Sequence, residues 1–495
     1  MSYLRDSESN QAASAHTLST PVSSDTNQQI WTDEQILATL PLNIRQTYDE
    51  IVLVETKLRD VCKKLFERKT KPQFQQETLQ AFSKLCLAFV GCFYNFFHSS
   101  QTPIAPQAIR DLPRKYNMCE RFQYGVSISF ELLEYVLPCC PLDSQTWDNS
   151  DSTYSFFIDV YSQVTMLYEA VPAFRCFWTH ILGDLALHCY RARSWSGKER
   201  DSLGFWGGKA REWYGEAIRL QPGTDNTYRL LGRVLSKDPL RKMSCYYMAR
   251  SSISSFELAE DVLMDLNAEY RRYLTPENNL EQKFVLLHAF LDTASLSGIE
   301  SQKTAFLQEI KKEVEGMGYR FELLGAHMAV CGIASILFHK SELDSQRRAR
   351  DIAFGILCTL LTICADQPAV GPHIYIWLIF LNSTARWPQG NFEEEGECLF
   401  QQLKNLASRL LREDSDEEHI TTATSMEALF EDQGNSPLPE EYLIRHWNFT
   451  SRFFPEGYFS NHLASKVENP SQTCNLRYIR QRKILILLRS ILTKY

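Results

Sequence analysis

The sequence lacks the short motifs that mark most enzyme classes. It contains no P-loop, no dinucleotide-binding glycine fingerprint, no HExxH motif and no G-x-S-x-G motif. Its fourteen cysteines include no CxxC pair, and the adjacent Cys139 and Cys140 do not match the usual zinc spacing. These absences predict a protein that is not an enzyme and that needs no metal or cofactor.

A segment that would direct the chain into a membrane is also lacking. Residues 1–30 are rich in Ser, Thr, Gln and Asn and contain no apolar signal-peptide core, so we expect a disordered tail there. The apolar stretches Ile352–Ala365 and Ile374–Leu381 are shorter than the roughly 20 residues of a membrane-spanning helix. We therefore expect buried helices at these stretches, no membrane partner, and a nuclear or cytoplasmic location.

Strong charge of either sign is absent as well. The formal net charge is -8 over 495 residues, and 44% of the residues are hydrophobic. This mild charge favours neither a nucleic-acid-coating protein nor a membrane-surface protein, and the apolar content is ample for a large buried core. Most cysteines, among them Cys86 and Cys358, lie in apolar helical surroundings, which predicts reduced, buried thiols.

What the chain does have is helical periodicity, whereas β-strand alternation is hard to find. Three- and four-residue apolar steps predict long antiparallel helices at Ile36–Leu65, Glu77–Phe97, Glu120–Leu137 and Tyr154–Glu169. A polar loop is expected over Pro141–Ser152. Further helices are expected at Phe174–Arg193, Leu203–Leu220, Thr227–Ser236, Leu240–Ser252 and Phe256–Tyr273, and then as hairpins as far as Arg412. The predicted fold class is all-α, an array of antiparallel helices.

One internal pattern is more specific than this periodicity. The segments A-R-E-W-Y-G-E-A-I-R-L-Q-P, from Ala210, and T-Y-R-L-L-G-R-V-L, from Thr227, have the spacing of a tetratricopeptide helix pair. Gly232 would let neighbouring helices approach closely, while large residues such as Tyr214 and Tyr246 would fill the gaps. Repeats of this kind bind partners and do not catalyse reactions.

Several longer motifs, in their order and spacing, resemble one protein family. They are R-K-Y-N-M at Arg114–Met118, P-A-F-x-x-x-W-x-x-x-L-G-D at Pro172–Asp184, W-x-G-x-A-R-x-W-Y-x-x-A from Trp206, C-Y-Y-x-x-R-S at Cys245–Ser251 and F-F-P-E-G-Y-F-S at Phe453–Ser460. Over roughly residues 35–490 the chain resembles the fungal branch of the Est-one/SMG family of telomerase-associated and nonsense-mediated-decay proteins. The resemblance implies a non-enzymatic scaffold that recruits protein partners and, in some members, contacts RNA or single-stranded DNA.

The resemblance also implies a domain organisation. Residues 31–275 would form a 14-3-3-like and tetratricopeptide-type domain, and residues 276–412 a domain of helical hairpins continuing the α-α superhelix. Residues 413–436 would form an acidic flexible loop, followed by C-terminal helices at 437–495 that pack on the body. Ser415 is a candidate phosphorylation site for an acid-directed kinase, unless the acidic run is simply a solvated loop.

A further implication is a 14-3-3-like groove for a phosphorylated peptide, which requires a fixed pair of cations on adjacent helices. The family's cationic position after Leu-Gly-Asp aligns here with Leu187–Cys189, so the expected cation is missing. Two hypotheses stay open. The groove either reads phosphate through Lys84, His188, Tyr190 and Arg191, or it has lost that ability and binds an apolar or unphosphorylated partner.

Local positive charge indicates a second kind of partner. Residues 191–250 carry thirteen Lys or Arg and six Asp or Glu, with tryptophans interleaved. One hypothesis is therefore a surface for RNA or single-stranded DNA formed by Arg211, Arg229, Arg233, Arg241 and Lys242. The other is that solvated helix faces simply collect basic residues. A second basic cluster, from Arg477 to Lys494, is expected to be the outer face of a packed terminal helix.

Overall fold

The computed structural model describes the chain in fifteen stretches. They are residues 33–66, 76–136, 148–196, 200–221, 225–235, 238–252, 265, 279–292, 299–339, 343–364, 366–384, 393–413, 429–430, 437–459 and 470–494. These residues are mostly helical and contain no β-strand, which confirms the all-α fold class. The predicted tail at 1–30, the boundary near residue 275 and nearly all of the acidic loop, with Ser415, lie outside the described residues.

In the first half of the chain, the described residues form ten helices. They are α1 (Asp33–Phe66), α2 (Gln76–Ser100), α3 (Gln107–Arg110), α4 (Leu112–Lys115), α5 (Met118–Val136), α6 (Asp148–Ala170), α7 (Arg175–Ser196), α8 (Arg200–Leu220), α9 (Asp225–Val234) and α10 (Pro239–Ser252). The long helices agree with the predicted ranges to within a few residues, except at the start of α6. Residues 148–152 belong to that helix and not to the predicted loop, because polar residues are typical of first helical turns as well as loops.

Eight further helices lie in the described part of the second half. They are α11 (Leu280–Asp292), α12 (Ile299–Met317), α13 (Arg320–Phe338), α14 (Leu343–Ile363), α15 (Gly371–Ser383), α16 (Glu393–Glu413), α17 (Glu441–Ile444) and α18 (Pro470–Lys494). Of the described helices, only α13 has the length and apolar composition of a membrane span, a feature that the sequence analysis did not single out. Because 72% of its apolar window is buried, packing in the core explains this composition.

Two buried cores organise the helices. The first contains buried residues from Leu40 to Cys245, and the second contains buried residues from Tyr228 to Ile491. Helices α9 and α10 contribute to both, since Leu231 lies in the first core and Tyr246 in the second. Shared packing across α9 and α10 therefore joins the two parts of the chain.

Aromatic contacts in the first core fix the directions of α2, α5 and α7. Phe122 of α5 contacts Phe89 of α2 and Trp178 of α7, with ring centroids 6.1 and 5.7 Å apart. Two turns further along α5, Phe130 contacts His188 of α7 at 5.0 Å. Helices α5 and α7 therefore run in the same direction, as alternate helices do in a stack of helical hairpins.

Two glycines allow the hairpins α7–α8 and α9–α10 to pack closely. A Cβ on Gly183 would lie 2.6 Å from the ring of Tyr214, and a Cβ on Gly232 would lie 2.6 Å from the ring of Tyr246. The predicted close approach at Gly232 is confirmed. Because each glycine is packed against a tyrosine of the following helix, α7 and α9 are equivalent members of successive hairpins.

The basic cluster of α18 does not form an outer face, so this prediction is wrong for its central residues. Arg480 and Lys483 are only 4% and 2% exposed. Arg480 Nη2 donates to Glu440 Oε2 at 3.2 Å, and Lys483 Nζ donates to Glu441 Oε1 at 2.8 Å. The acids that neutralise them are remote in sequence, and a count of local charge could not reveal them.

Segment 437–459 links the two halves of the chain. Arg445 donates from Nη2 to the main-chain oxygen of Ile218, at the end of α8, over 2.6 Å. Its guanidinium lies over the ring of Tyr442, with Cζ 5.1 Å from the ring centroid. Because the last carbonyls of a helix have no partner within that helix, Arg445 acts as a cap on α8 from a distant part of the sequence.

Candidate partner-binding surface

A row of polar side chains follows one face of α7 and continues onto α9. Spacings of three and four residues place successive positions of α7 on the same side of the helix. Its members on α7, α8 and α9, apart from the buried Tyr214, are half-buried. We define the α7–α9 polar row as His180, Asp184, His188, Arg191, Tyr214, Arg229 and Arg233, together with Asp265.

The centre of the row is a hydrogen bond between α7 and α8. Tyr214 Oη donates to Asp184 Oδ1 at 2.8 Å. Burial raises the pKa of the Asp184 carboxyl, against the opposing effects of this hydrogen bond and of the nearby His188 and Arg191. Burial also raises the pKa of Tyr214 well above its ordinary value, so this phenol remains a donor.

Two arginines of the row, Arg191 of α7 and Arg233 of α9, lie near enough to Tyr214 for their charges to act on it. The charges of Arg191 and Arg233 both reach the Tyr214 hydroxyl and oppose the effect of burial on its pKa. Arg233 Nε also donates to Asp265 Oδ2 at 3.0 Å, and Arg229 Nε donates to the same oxygen at 3.2 Å. The row therefore combines three guanidinium groups with two carboxylates.

The structure brings together only some of the residues proposed for a phosphate-reading groove. His188 packs against the ring of Phe130, and Arg191 lies beside Asp184. Tyr190 instead turns towards α8, where its ring lies 3.4 Å from the place of a Cβ on Gly207. Lys84 is exposed on α2 and forms no hydrogen bond or ion pair with a described residue.

The five residues proposed for a nucleic-acid surface lie in unequal surroundings. Lys242 is only 6% exposed, because α10 is buried between the two cores, and so it does not face a nucleic-acid backbone in this conformation. Arg229 and Arg233 share Asp265, and Arg241 is half-buried. Arg211 alone of the five is exposed on its helix.

Asp265 is the member of the row that the sequence analysis missed. It lies 32 residues beyond Arg233, inside the predicted helix Phe256–Tyr273. A periodic pattern can predict that helix, but it cannot say which earlier helix the acid faces. The signal that could have indicated it is the excess of cations on α9, which requires acids nearby wherever the cations are partly buried.

The row offers donors and acceptors without an evident metal site. Within the described ranges, no group of three or more His, Cys, Asp or Glu side chains is placed to hold a metal ion. Guanidinium and imidazole donors beside a carboxylate can bind the side chains and backbone of a peptide. Such a mixed, half-buried set is typical of the polar part of a protein interface.

No protein-family model matches the chain, and no curated protein matches it in sequence.

Proposed function

We propose that the protein is a non-enzymatic all-α scaffold that recruits a protein partner to the α7–α9 polar row. The hydrogen bond between Tyr214 and Asp184, together with the pairing of Arg229 and Arg233 with Asp265, is the observation that carries this proposal. The resemblance of the motifs to the Est-one/SMG family indicates the cellular process in which the scaffold acts, nonsense-mediated mRNA decay or telomere maintenance. We place this role in the nucleus, the cytoplasm or both.

The row is prepared for binding because its side chains are already held in place. Arg229 and Arg233 are oriented by Asp265, and Asp184 is oriented by Tyr214. Side chains that are fixed before binding lose less conformational entropy when a partner docks. The three guanidinium groups exceed the two carboxylates by one charge, which favours a partner segment that carries a carboxylate or a phosphate.

RNA or single-stranded DNA is the second candidate partner, and the exposure of Arg211 favours it. Binding to a nucleic-acid backbone depends on cations that face the solvent and displace counterions. The burial of Lys242 and the pairing of Arg229 and Arg233 with Asp265 leave fewer such cations than the sequence indicates. These contacts favour a protein partner over a nucleic acid.

Affinity purification of the full chain from its native cell, after nuclease treatment, tests the proposal. Arg191→Gln/Arg233→Gln removes two cations of the row, and Lys311→Gln/Lys312→Gln removes two exposed cations of α12 as a matched control. We expect the wild type and the control to retain the same proteins and the row variant to lose them. Partners that disappear with nuclease, together with a row variant that behaves like the control, would overturn the proposal.

The partner proteins recovered in this way also distinguish the two groove hypotheses. Calorimetry would compare phosphorylated and unphosphorylated peptides from a recovered partner with the wild-type chain. Tighter binding of the phosphorylated form, lost in Arg191→Gln/Arg233→Gln, would mean that the row reads phosphate. Equal affinities would mean that it recruits its partner as a diverged interaction module without phosphate recognition.

A further inference from the structure

Two motifs that the polar row does not use meet at the start of α7. One is R-K-Y-N-M at Arg114–Met118, and the other is P-A-F, which is followed directly by Arg175. The guanidinium carbon of Arg114 lies 5.9 Å from the centroid of the Phe174 ring. The two motifs therefore form one surface, although they are about 60 residues apart in the sequence.

A left-handed residue gives the first motif its shape. Asn117 has a φ of 50°, a conformation that asparagine tolerates better than most residues. It lies between α4 and α5, where Met118 is fully buried while Tyr116 stays 40% exposed. The turn thus leaves Arg114 and Lys115 projecting from the end of α4.

Each cation of this surface lies over an aromatic ring. Besides the contact of Arg114 with Phe174, Lys115 Nζ is 5.6 Å from the ring centroid of Tyr116. Arg175 Cζ is 5.0 Å from the ring centroid of Tyr168. We define the Arg114–Arg175 patch as Arg114, Lys115, Tyr116, Phe174 and Arg175.

The three cations of the patch are exposed and have no acidic partner among the described residues. Their neighbour Arg121 behaves differently, since its Nη2 is 2.5 Å from Glu55 Oε2. The cations of α9 are likewise paired, with Asp265. Positive charge at the start of α7 is thus left uncompensated, in a chain whose formal net charge is -8.

We propose that the Arg114–Arg175 patch binds an acidic segment of a partner protein through its Asp and Glu carboxylates. A guanidinium whose face rests on an aromatic ring keeps its N–H edge free for a bidentate bond to a carboxylate. The ring contact also restricts the side chain before binding, which reduces the entropy lost when a carboxylate is bound.

The ring contacts favour a peptide over a nucleic acid. Proteins that bind single-stranded nucleic acid combine cations with open aromatic faces on which the bases stack. Here Arg114 and Arg175 lie over Phe174 and Tyr168, and Lys115 lies over Tyr116. Carboxylates bind the N–H edges of the cations, which the ring contacts leave free. The patch therefore suits an acidic segment.

The patch is separate from the α7–α9 polar row. Arg175 begins α7, whereas Arg191 of the row lies sixteen residues later, which corresponds to about 24 Å along a helix axis. The cations of the two surfaces are therefore far apart along α7, although His180 of the row lies only five residues beyond Arg175. An experiment that fails at the patch leaves the proposed function of the row untouched, and the reverse is also true.

Fluorescence anisotropy with the full chain at low ionic strength tests the patch. The probe is a labelled peptide, Glu-Asp-Glu-Glu-Asp-Glu, and its comparator replaces every acid with the corresponding amide. We expect saturable binding of the acidic peptide alone, weakened by added salt. Arg114→Gln/Arg175→Gln should weaken it by about tenfold or more, because two charge-assisted contacts are lost. The control Lys311→Gln/Lys312→Gln should bind like the wild type.

Further measurements make the outcome decisive. Arg191→Gln/Arg233→Gln should retain the acidic peptide, and thermal unfolding of the patch variant should match that of the wild type because both positions are exposed. Absence of saturable binding, or equal losses in the patch and control variants, would overturn the proposal. Patch-dependent binding of oligo(dT) or oligo(U) in place of the peptide would also overturn it, in favour of a nucleic-acid surface.

Discussion

The ring of Tyr214 lies against the backbone of Gly183, only 2.6 Å from the place that a Cβ would occupy. We expect Gly183→Ala to lower the free energy of unfolding by about 1–3 kcal/mol, because the added methyl group overpacks a buried ring. The gain in helix propensity from Ala, roughly 1 kcal/mol, offsets only part of this cost. Urea denaturation of the two chains measures the difference.

Gly215 of α8 provides the matched control for this substitution. It is exposed, and nothing lies within 4 Å of the place of its Cβ. Gly215→Ala should therefore raise the free energy of unfolding by about 0.5–1 kcal/mol through helix propensity alone. If Gly183→Ala proved as stable as Gly215→Ala, the close approach of Tyr214 would not limit the packing of α7 on α8.

Helix positions could be predicted because the same residues that bury a helix also mark its period. The apolar steps of Glu77–Phe97 correspond to the buried side of α2, and the tetratricopeptide spacing correctly indicated a close helix approach at Gly232, where Tyr246 packs. Local patterns carry this information because a helix satisfies its backbone within itself. The fold class could therefore be predicted from the sequence.

Charge pairing could not be predicted from the sequence, because it joins residues that are distant in sequence. Arg480 was predicted to face solvent, but Glu440 lies opposite it, 40 residues earlier. Under one of the two hypotheses for the basic residues Lys242 would face a nucleic acid, but it is buried, since α10 belongs to both cores. A single sequence gives the number of charges on a helix and leaves open which neighbouring helix neutralises them. The structure consequently corrected the predicted binding residues more than it corrected the predicted fold.

A buried histidine makes stability depend on pH. A hydrogen bond of 3.0 Å joins His327 Nδ1 and Ser244 Oγ. Burial, together with the charge of the nearby Arg241, lowers the pKa of His327 to about 3. In the unfolded chain a histidine has a pKa of about 6.5, so unfolding takes up a proton at any pH between these values. This group therefore stabilises the fold above pH 6.5, and its contribution falls as the pH drops towards 3.

Removing the titration of His327 should change the slope of stability against pH. As the pH drops from 6 to 4, the free energy of unfolding of His327→Gln should fall less steeply than that of the wild type. The two slopes should differ by about 1.4 kcal/mol per pH unit. Urea denaturation at several pH values measures both slopes. Identical slopes for the wild type and the variant would mean that His327 already binds its proton in the folded chain.

A third prediction concerns the buried pair of Lys483 and Glu441. Glu441 accepts hydrogen bonds from Lys483 Nζ at 2.8 Å, from Tyr375 Oη at 2.5 Å and from Tyr458 Oη at 2.9 Å. Lys483→Met should lower the free energy of unfolding by about 3–5 kcal/mol, because it leaves a buried carboxylate without its cation. Chemical denaturation at neutral pH measures this loss.

The double variant Lys483→Met/Glu441→Gln serves as the control for this pair. It removes both charges together, so it should be more stable than the sum of the two single losses predicts, by about 1–3 kcal/mol. Strict additivity would show that the two groups do not interact in the folded chain, despite the short distance between Nζ and Oε1.

Arg445 joins α8 to the segment 437–459, and this contact should appear in hydrogen exchange. In Arg445→Ala, the carbonyl of Ile218 loses a charged donor, which should lower the free energy of unfolding by about 1–3 kcal/mol. Exchange should quicken in the last turn of α8 and in segment 437–459 together, because one contact holds both. Arg452→Ala, at an exposed position of the same segment, should leave exchange in α8 unchanged. Faster exchange confined to the segment would mean that α8 is held by its own hairpin, and that the polar row beside Tyr214 is positioned independently of the C-terminal half.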